Sequence, residues 1–170
     1  MHQWLLELSQ VIYFLHNCYY PVMHRDLKPS NIFLTNNLHI KLGDFGLSKT
    51  IVKNKDMYKM SGCAGTLRYM APEIIKGNKN YDLKIDIYSL SLIFWFIYTG
   101  KKPYIEINND FLELFIKKGY RPDYNLINNK ELQILIINMW NDEPELRPNM
   151  KDILDKIKNI DLNKKKKKCL

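Results

Sequence analysis

HRDLKPSNIFL, residues 24–34, sets an acid at Asp26, a cation at Lys28 and an amide at Asn31 around a proline, and then runs into an apolar, β-prone stretch. Pro29 cannot continue a helix or a central strand, so the polar part is a loop. On its N-terminal side, Trp4, Leu5, Leu8, Val11, Ile12 and Leu15 recur at helical spacing and predict an amphipathic helix from about His2 to Asn17. On its C-terminal side, NIFL and HIKL are short β-prone runs around Thr35, Asn36 and Asn37, which read as a hairpin.

The chain has 170 residues, 46% of them hydrophobic, enough apolar material for one domain with a real core. Its formal charge is +8, but five positive charges sit in the run Lys164 to Lys168, so the folded part is only mildly basic. That excludes reading the whole chain as a nucleic-acid binder. Cys18, Cys63 and Cys169 stand at unrelated spacings that fit neither a disulfide framework nor a zinc site, which suits a reducing, cytoplasmic setting. No charged start followed by an apolar block opens the chain, and Ile87 to Tyr98, interrupted by Ser89 and Ser91, falls well short of the roughly 20 residues that span a bilayer. No transmembrane segment is expected.

Residues 46–65 show no sustained period and read as a long, mobile surface segment. From Tyr81 the chain turns helical. YDLKIDIYSLSLIFWFIYTG is apolar almost all round, the mark of a core helix, and it ends in Gly100, two lysines and Pro103. Further helices are predicted from about Asp110 to Lys118, from about Lys130 to Trp140 with Asn128 and Glu131 as a capping box, and from about Met150 to Lys158. Lys164 to Lys168 is low complexity and reads as a solvated tail.

Phosphoryl transfer needs an acceptor beside the attacking hydroxyl, oxygen ligands for the metal on the phosphates, and positive charge near the transferred group. Asp26 can accept the hydroxyl proton, Lys28 can aim a cation at the phosphoryl, Asn31 offers an amide oxygen, and Asp44 in GDFG offers a carboxylate of the kind Mg²⁺ prefers. In this order and spacing, HRDLKPSN, DFG at Asp44 to Gly46 and APE at Ala71 to Glu73 resemble the catalytic loop, the metal-binding motif and the end of the activation segment of a eukaryotic protein kinase. The resemblance covers residues from His2 to about Ile160. It implies an α+β, protein-kinase-like fold: a predominantly α-helical C-lobe with a small β-hairpin in residues 1–160, and a basic tail in residues 161–170.

Lys28 two residues after Asp26, with Thr66 in GTLRYMAPE, resembles the serine/threonine type, and GYRPDY and MWNDEPELRPNM resemble the tyrosine-kinase-like group. By this resemblance ATP and Mg²⁺ are the cofactors and a protein Ser or Thr the acceptor. Asp26, Lys28 and Asn31 are then the catalytic set, Lys28, Asn31 and Asp44 bind the nucleotide, and Asn31 and Asp44 hold the metal. Phe45 and Gly46 complete the metal-binding motif. Arg25 is either the receiver of an activation-segment phosphate or an arginine paired with a nearby carboxylate. Glu73 and Arg147 resemble a buried ion pair that staples the activation segment to the helical core, and Asp86 resembles the acid that holds the catalytic-loop backbone. Ser48, Thr50, Tyr58, Ser61 and Thr66 are the hydroxyls of the activation segment, with Ser48, Thr50 or Ser61 the candidate phosphosite facing Arg25. His24 reads as a packed loop histidine, and His2, His16 and His39 are assigned no function. Two departures, Ser91 in place of glycine and Phe96 in place of an acid, predict locally altered packing in the core helix.

No G-x-G-x-x-G and no VAIK-type lysine occur, so the N-lobe, which would precede Met1, is absent from the sequence. Two readings remain open: part of a Ser/Thr kinase, inactive alone, or a catalytically dead, kinase-derived protein-binding module. Either way the face that an N-lobe would cover, including Phe45, should expose apolar surface and promote aggregation. KKKKKCL allows weak contact with an anionic membrane, and palmitoylation of Cys169 would be needed for firmer attachment.

Overall fold

In the computed structural model, which describes residues 1–50 and 67–160, helices dominate and two small antiparallel strand pairs flank the polar loop. Helix α1, His2–Asn17, buries Leu5, Leu8 and Ile12 of the predicted stripe together with Ser9 and His16, half-buries Trp4, Val11 and Leu15, and packs on the last helix. Its other side fastens the hairpin of β2, Ile32–Leu34, and β3, Ile40–Leu42. There the Trp4 indole N–H donates to the carbonyl of Leu38 at 2.8 Å, and Glu7 accepts from the Ile40 N–H at 2.8 Å.

Strand β1, Val22–Met23, pairs antiparallel with β4, Lys49–Thr50. Lys49 and Thr50 fall in the stretch read from sequence as irregular; a two-residue bridge is too short to leave a period. Residues 51–66, with Tyr58, Ser61, Cys63 and Thr66, lie outside the described residues, as do Lys164 to Lys168 and Cys169.

A short helix α2, Pro72–Ile75, leads to α3, Lys84–Thr99, the centre of the core. Every residue from Ile85 to Trp95 except Ser89 is buried, and α3 ends where Gly100 turns left-handed at φ 68° and its N–H returns to Phe96. Helices α4, Asn109–Lys117, α5, Lys130–Met139, and α6, Met150–Asn159, complete the layer. Each begins on an asparagine whose side chain accepts a helix N–H: Asn108 from Asp110, Asn129 from Leu132, and Asn149 from Asp152. The cap of α5 is therefore Asn129 and not Asn128. With the cap one residue later, the third helical position is Leu132, which has no acceptor, so the predicted box with Glu131 does not form.

At the two departures in α3, the Ser91 hydroxyl is buried and donates to the Tyr88 carbonyl at 2.6 Å. Phe96 lines an apolar groove of about 150 Å³ with Trp4, Ile32, Ile40 and Ile97. No helix among the described residues is long and apolar enough to cross a membrane.

Candidate active site

The polar loop follows β1 and is held from below by the first turn of α3. Arg25 adopts φ 71°, a left-handed conformation that a long side chain rarely takes. The Asp86 carboxylate, 1% exposed, fixes it by accepting from the His24 N–H at 2.8 Å and the Arg25 N–H at 2.9 Å. His16 adds a third contact, its Nε2 lying 3.0 Å from the same carboxylate. The sequence offered one signal for His16: it stands on the buried stripe of α1, where an imidazole needs a polar partner.

His24 is fully buried and ties two segments together. Its Nδ1 accepts from the Asp26 N–H at 3.3 Å, which leaves Nε2 to donate to the Gly43 carbonyl at 3.1 Å. From the other side the Gly43 N–H donates to the Asn31 carbonyl at 2.9 Å, so the loop and the segment after β3 lie side by side. A Cβ at 43 would lie 2.7 Å from the ring of half-exposed Phe33, so any other residue there requires that ring to shift.

Within the loop, Asp26, Lys28 and Asn31 converge. One carboxylate oxygen of Asp26, Oδ2, accepts from Lys28 Nζ at 2.5 Å and from Asn31 Nδ2 at 3.1 Å. Asn31 Nδ2 also donates to the Asp26 carbonyl at 2.8 Å, which turns the amide so that its oxygen is the atom available to a cation. The other oxygen, Oδ1, is buried and has no hydrogen-bond partner among the described residues. A small pocket of about 10 Å³, lined by residues that include Arg25, Asp26, Tyr69 and Ser89, adjoins Asp26.

Asp44 is less constrained. It too is left-handed, at φ 59°, but it is exposed, and its carboxylate accepts one long bond of 3.4 Å from the Gly46 N–H. Phe45 stacks obliquely on the His24 ring, centroids 5.0 Å apart, and stays half exposed. Among the described residues no group of three or more His, Cys, Asp or Glu side chains could hold a metal. One amide and one carboxylate oxygen from adjoining segments nevertheless suit Mg²⁺, which usually keeps water and takes phosphate oxygens beside one or two protein ligands.

The far end of the activation segment is anchored separately. Glu73 on α2 receives both terminal nitrogens of Arg147 at 2.7 and 2.8 Å, and the Arg147 Nε donates to the Asn141 carbonyl at 2.8 Å. The guanidinium lies 5.2 Å from the Tyr88 ring centroid, and burial pushes the Tyr88 phenol above its ordinary pKa. Arg68, not singled out from the sequence, is buried and donates to the Pro103 and Tyr104 carbonyls and to Asn109 Oδ1. An arginine 16 residues before the core helix gives no sequence signal for partners 35 to 41 residues away; only the fold supplies them.

This is the arrangement of a protein kinase large lobe, and comparison with known proteins agrees. The model of the protein kinase domain matches residues 1–157. Over 160 residues the chain is 37% identical to the serine/threonine-protein kinase VIK of Arabidopsis thaliana, covering 91% of this chain and 36% of that protein. It is 39% identical over 140 residues to a probable LIM domain-containing serine/threonine-protein kinase of Dictyostelium discoideum, covering 82% and 21%. Against the ankyrin repeat and protein kinase domain-containing protein 1 of Mus musculus it is 35% identical over 151 residues, covering 84% and 20%. The chain belongs to the protein kinase family. It spans about a third or less of the length of these relatives.

Proposed function

We propose that this chain is the large lobe of a cytoplasmic protein serine/threonine kinase and, completed by a small lobe, transfers the γ-phosphoryl group of ATP to a Ser or Thr hydroxyl of a protein. The observation that carries the reading is the lone buried oxygen of Asp26. Lys28 and Asn31 hold Oδ2, and Oδ1 is buried with no partner among the described residues, where an unsatisfied acceptor costs roughly 1 to 3 kcal/mol. A substrate hydroxyl there would donate to Oδ1 and lose its proton to it as the hydroxyl oxygen bonds to the γ-phosphorus and the bridging bond to the β-phosphate breaks.

Lys28 serves two ends: it orients Asp26 in the resting site and sits within reach of the incoming phosphoryl. The Asn31 amide oxygen and the Asp44 carboxylate would hold Mg²⁺, which when bound neutralises charge on the phosphates. Arg25 joins this geometry through its backbone, and Glu73 with Arg147 fixes the segment on which a protein substrate would lie. A binding module would gain nothing from a buried, half-satisfied carboxylate.

The test joins the chain to the small lobe of a related kinase and measures phosphate transfer to a Ser/Thr peptide library. Asp26→Asn should lower kcat by about 10² to 10⁴ at nearly unchanged Mg·ATP affinity, whereas Asp44→Asn should abolish that affinity. Equal activity of the Asp26 variant would refute the reading.

A further inference from the structure

Helices α5 and α6 stand in one layer on different supports: α5 packs mainly on α3, and α6 mainly on α1. Between them lies a groove of about 410 Å³, walled by Ile134, Leu135 and Ile160, with exposed Glu131, Asp155 and Lys156 around it. A cavity of about 150 Å³ takes a benzene-sized ring, so this space can hold more than one side chain. The residues that α5 turns to solvent include Glu131, Ile134 and Asn138, and Ile134 keeps 49% of its surface exposed. A single exposed isoleucine is ordinary on any surface. This one forms a wall of the groove, opposite residues of α6.

The course of the chain beyond α6 identifies the occupant. The Ile160 N–H closes the last turn onto the Lys156 carbonyl at 3.0 Å, and Ile160, itself buried and a wall of the groove, is already extended at φ −71° and ψ 120°. Asp161, Leu162, Asn163 and the lysines 164–168 follow. Side chains of an extended chain alternate at about 3.3 Å per residue, so Leu162 falls on the same side as Ile160, about 7 Å further on. The lysines then come within reach of the Glu131 and Asp155 carboxylates. Lys158 already lies 3.8 Å from Asp155, so the apolar contact of Leu162 carries the seat and the charges steer it. A free partner or a second copy needs on the order of 1,200 Å² of buried surface, far more than one groove ringed by charged residues offers. A segment of the same chain needs much less, because its tether sets an effective concentration on the order of mM. We propose that residues 161–164 seat in the α5–α6 groove as an intramolecular strap, with Leu162 against Ile134 and Leu135 and the lysines beside the two carboxylates. The strap ties together two helices that otherwise lean on different neighbours, and it is independent of phosphate transfer.

Thermal melting of the full 170-residue chain reads the strap. Leu162→Asp should lower Tm by about 4 °C, whereas the same change at Leu170, at the far end of the segment, should leave it unmoved. Equal effects at the two positions, or none at Leu162, would overturn the proposal. Contact with the groove is read by a double-variant cycle of Ile134→Ala and Leu162→Ala, two truncations mild enough to leave the fold intact. Their combined loss of Tm should be clearly smaller than the sum of the single losses, since each removes the same contact. Additive losses would place Leu162 elsewhere and overturn the proposal. In the methyl-labelled chain, nuclear Overhauser effects should link Leu162 to Ile134 and to Ile160. Leu162 methyl resonances at random-coil positions would refute the strap. So would Ile134 resonances that shift only as the chain concentration rises, which would assign the groove to a second copy.

Discussion

The loop around Asp26 and the segment around Asp44 are neighbours with the same backbone peculiarity and opposite support. Each contains a non-glycine residue in the left-handed region, Arg25 at 71° and Asp44 at 59°. Beneath Arg25 stands a buried carboxylate that accepts two backbone N–H groups and touches a histidine. Beneath Asp44 there is one long bond to Gly46 and open surface. Left-handed residues persist only where the surroundings over-determine them. The fold therefore holds Asp26, the proposed proton acceptor, by itself and leaves Asp44, the proposed metal ligand, beside Phe45, Leu47, Phe33 and Leu34, all of which are exposed.

The contrast can be tested directly. Asp86→Ala should have the largest effect. It orphans the N–H groups of His24 and Arg25 and strands His16, and at roughly 1 to 3 kcal/mol for each unsatisfied buried group the loss should reach about 3 to 5 kcal/mol. Thermal melting should then drop by on the order of 10 °C, and hydrogen exchange at His24 and Arg25 should accelerate. An unchanged melt would mean that Asp86 does not support the loop.

Arg147→Met comes next, because it leaves the Glu73 carboxylate buried without its cation. A loss of about 3 kcal/mol is expected, and most of it should return in the double variant Arg147→Met/Glu73→Gln, since the penalty belongs to the unpaired charge. A double variant as unstable as the single one would show that the guanidinium matters for its contacts with the carbonyls of Lys84 and Asn141 instead.

Acid should separate the two regions more gently. The Ile40 N–H, with Gln3 and His39 adding to it, lowers the Glu7 carboxyl from its ordinary 4.5 to about 2. Its stabilisation of the hairpin is complete above about pH 4.5 and is lost as pH falls toward about 2. Exchange at Ile40 to Leu42 should rise over that window ahead of the buried loop, and Glu7→Gln should remove the dependence. The smallest effect belongs to Asp44→Asn, which should stay within about 0.5 kcal/mol of the parent. A melt lowered as far as that of Asp86→Ala would break the comparison.

Phe45, named from the sequence as exposed apolar surface, is half exposed. Phe45→Ser should therefore reduce self-association in sedimentation with little change in melting.

Much of the molecule was legible because its signals are local. Periodicity placed the first helix, since burial of one helical stripe repeats in sequence as it does in space, and a run apolar almost all round placed the core helix. Gly100 ended the core helix because only a residue without Cβ enters the left-handed cap freely. The loop motif gathered Asp26, Lys28 and Asn31 within six residues, so their convergence needed little more than one turn of chain.

What failed to show in the sequence depended on distant partners. The β1–β4 bridge is two residues long, the choice of Asn129 over Asn128 turns on which of two identical side chains meets the helix, Arg68 looks like any polar residue until the fold gives it Asn109, and the place of His16 on a buried stripe does not name Asp86 as its partner.

The sequence by itself determined the helices, the turn residues and the identity of the chemical groups, because these follow from spacing along the chain and from the covalent nature of each residue. Only the tertiary structure decided that one oxygen of Asp26 has no partner among the described residues and that Asp44 remains open. Burial and hydrogen-bond satisfaction are properties of which segments come together, and no short stretch of chain carries that information.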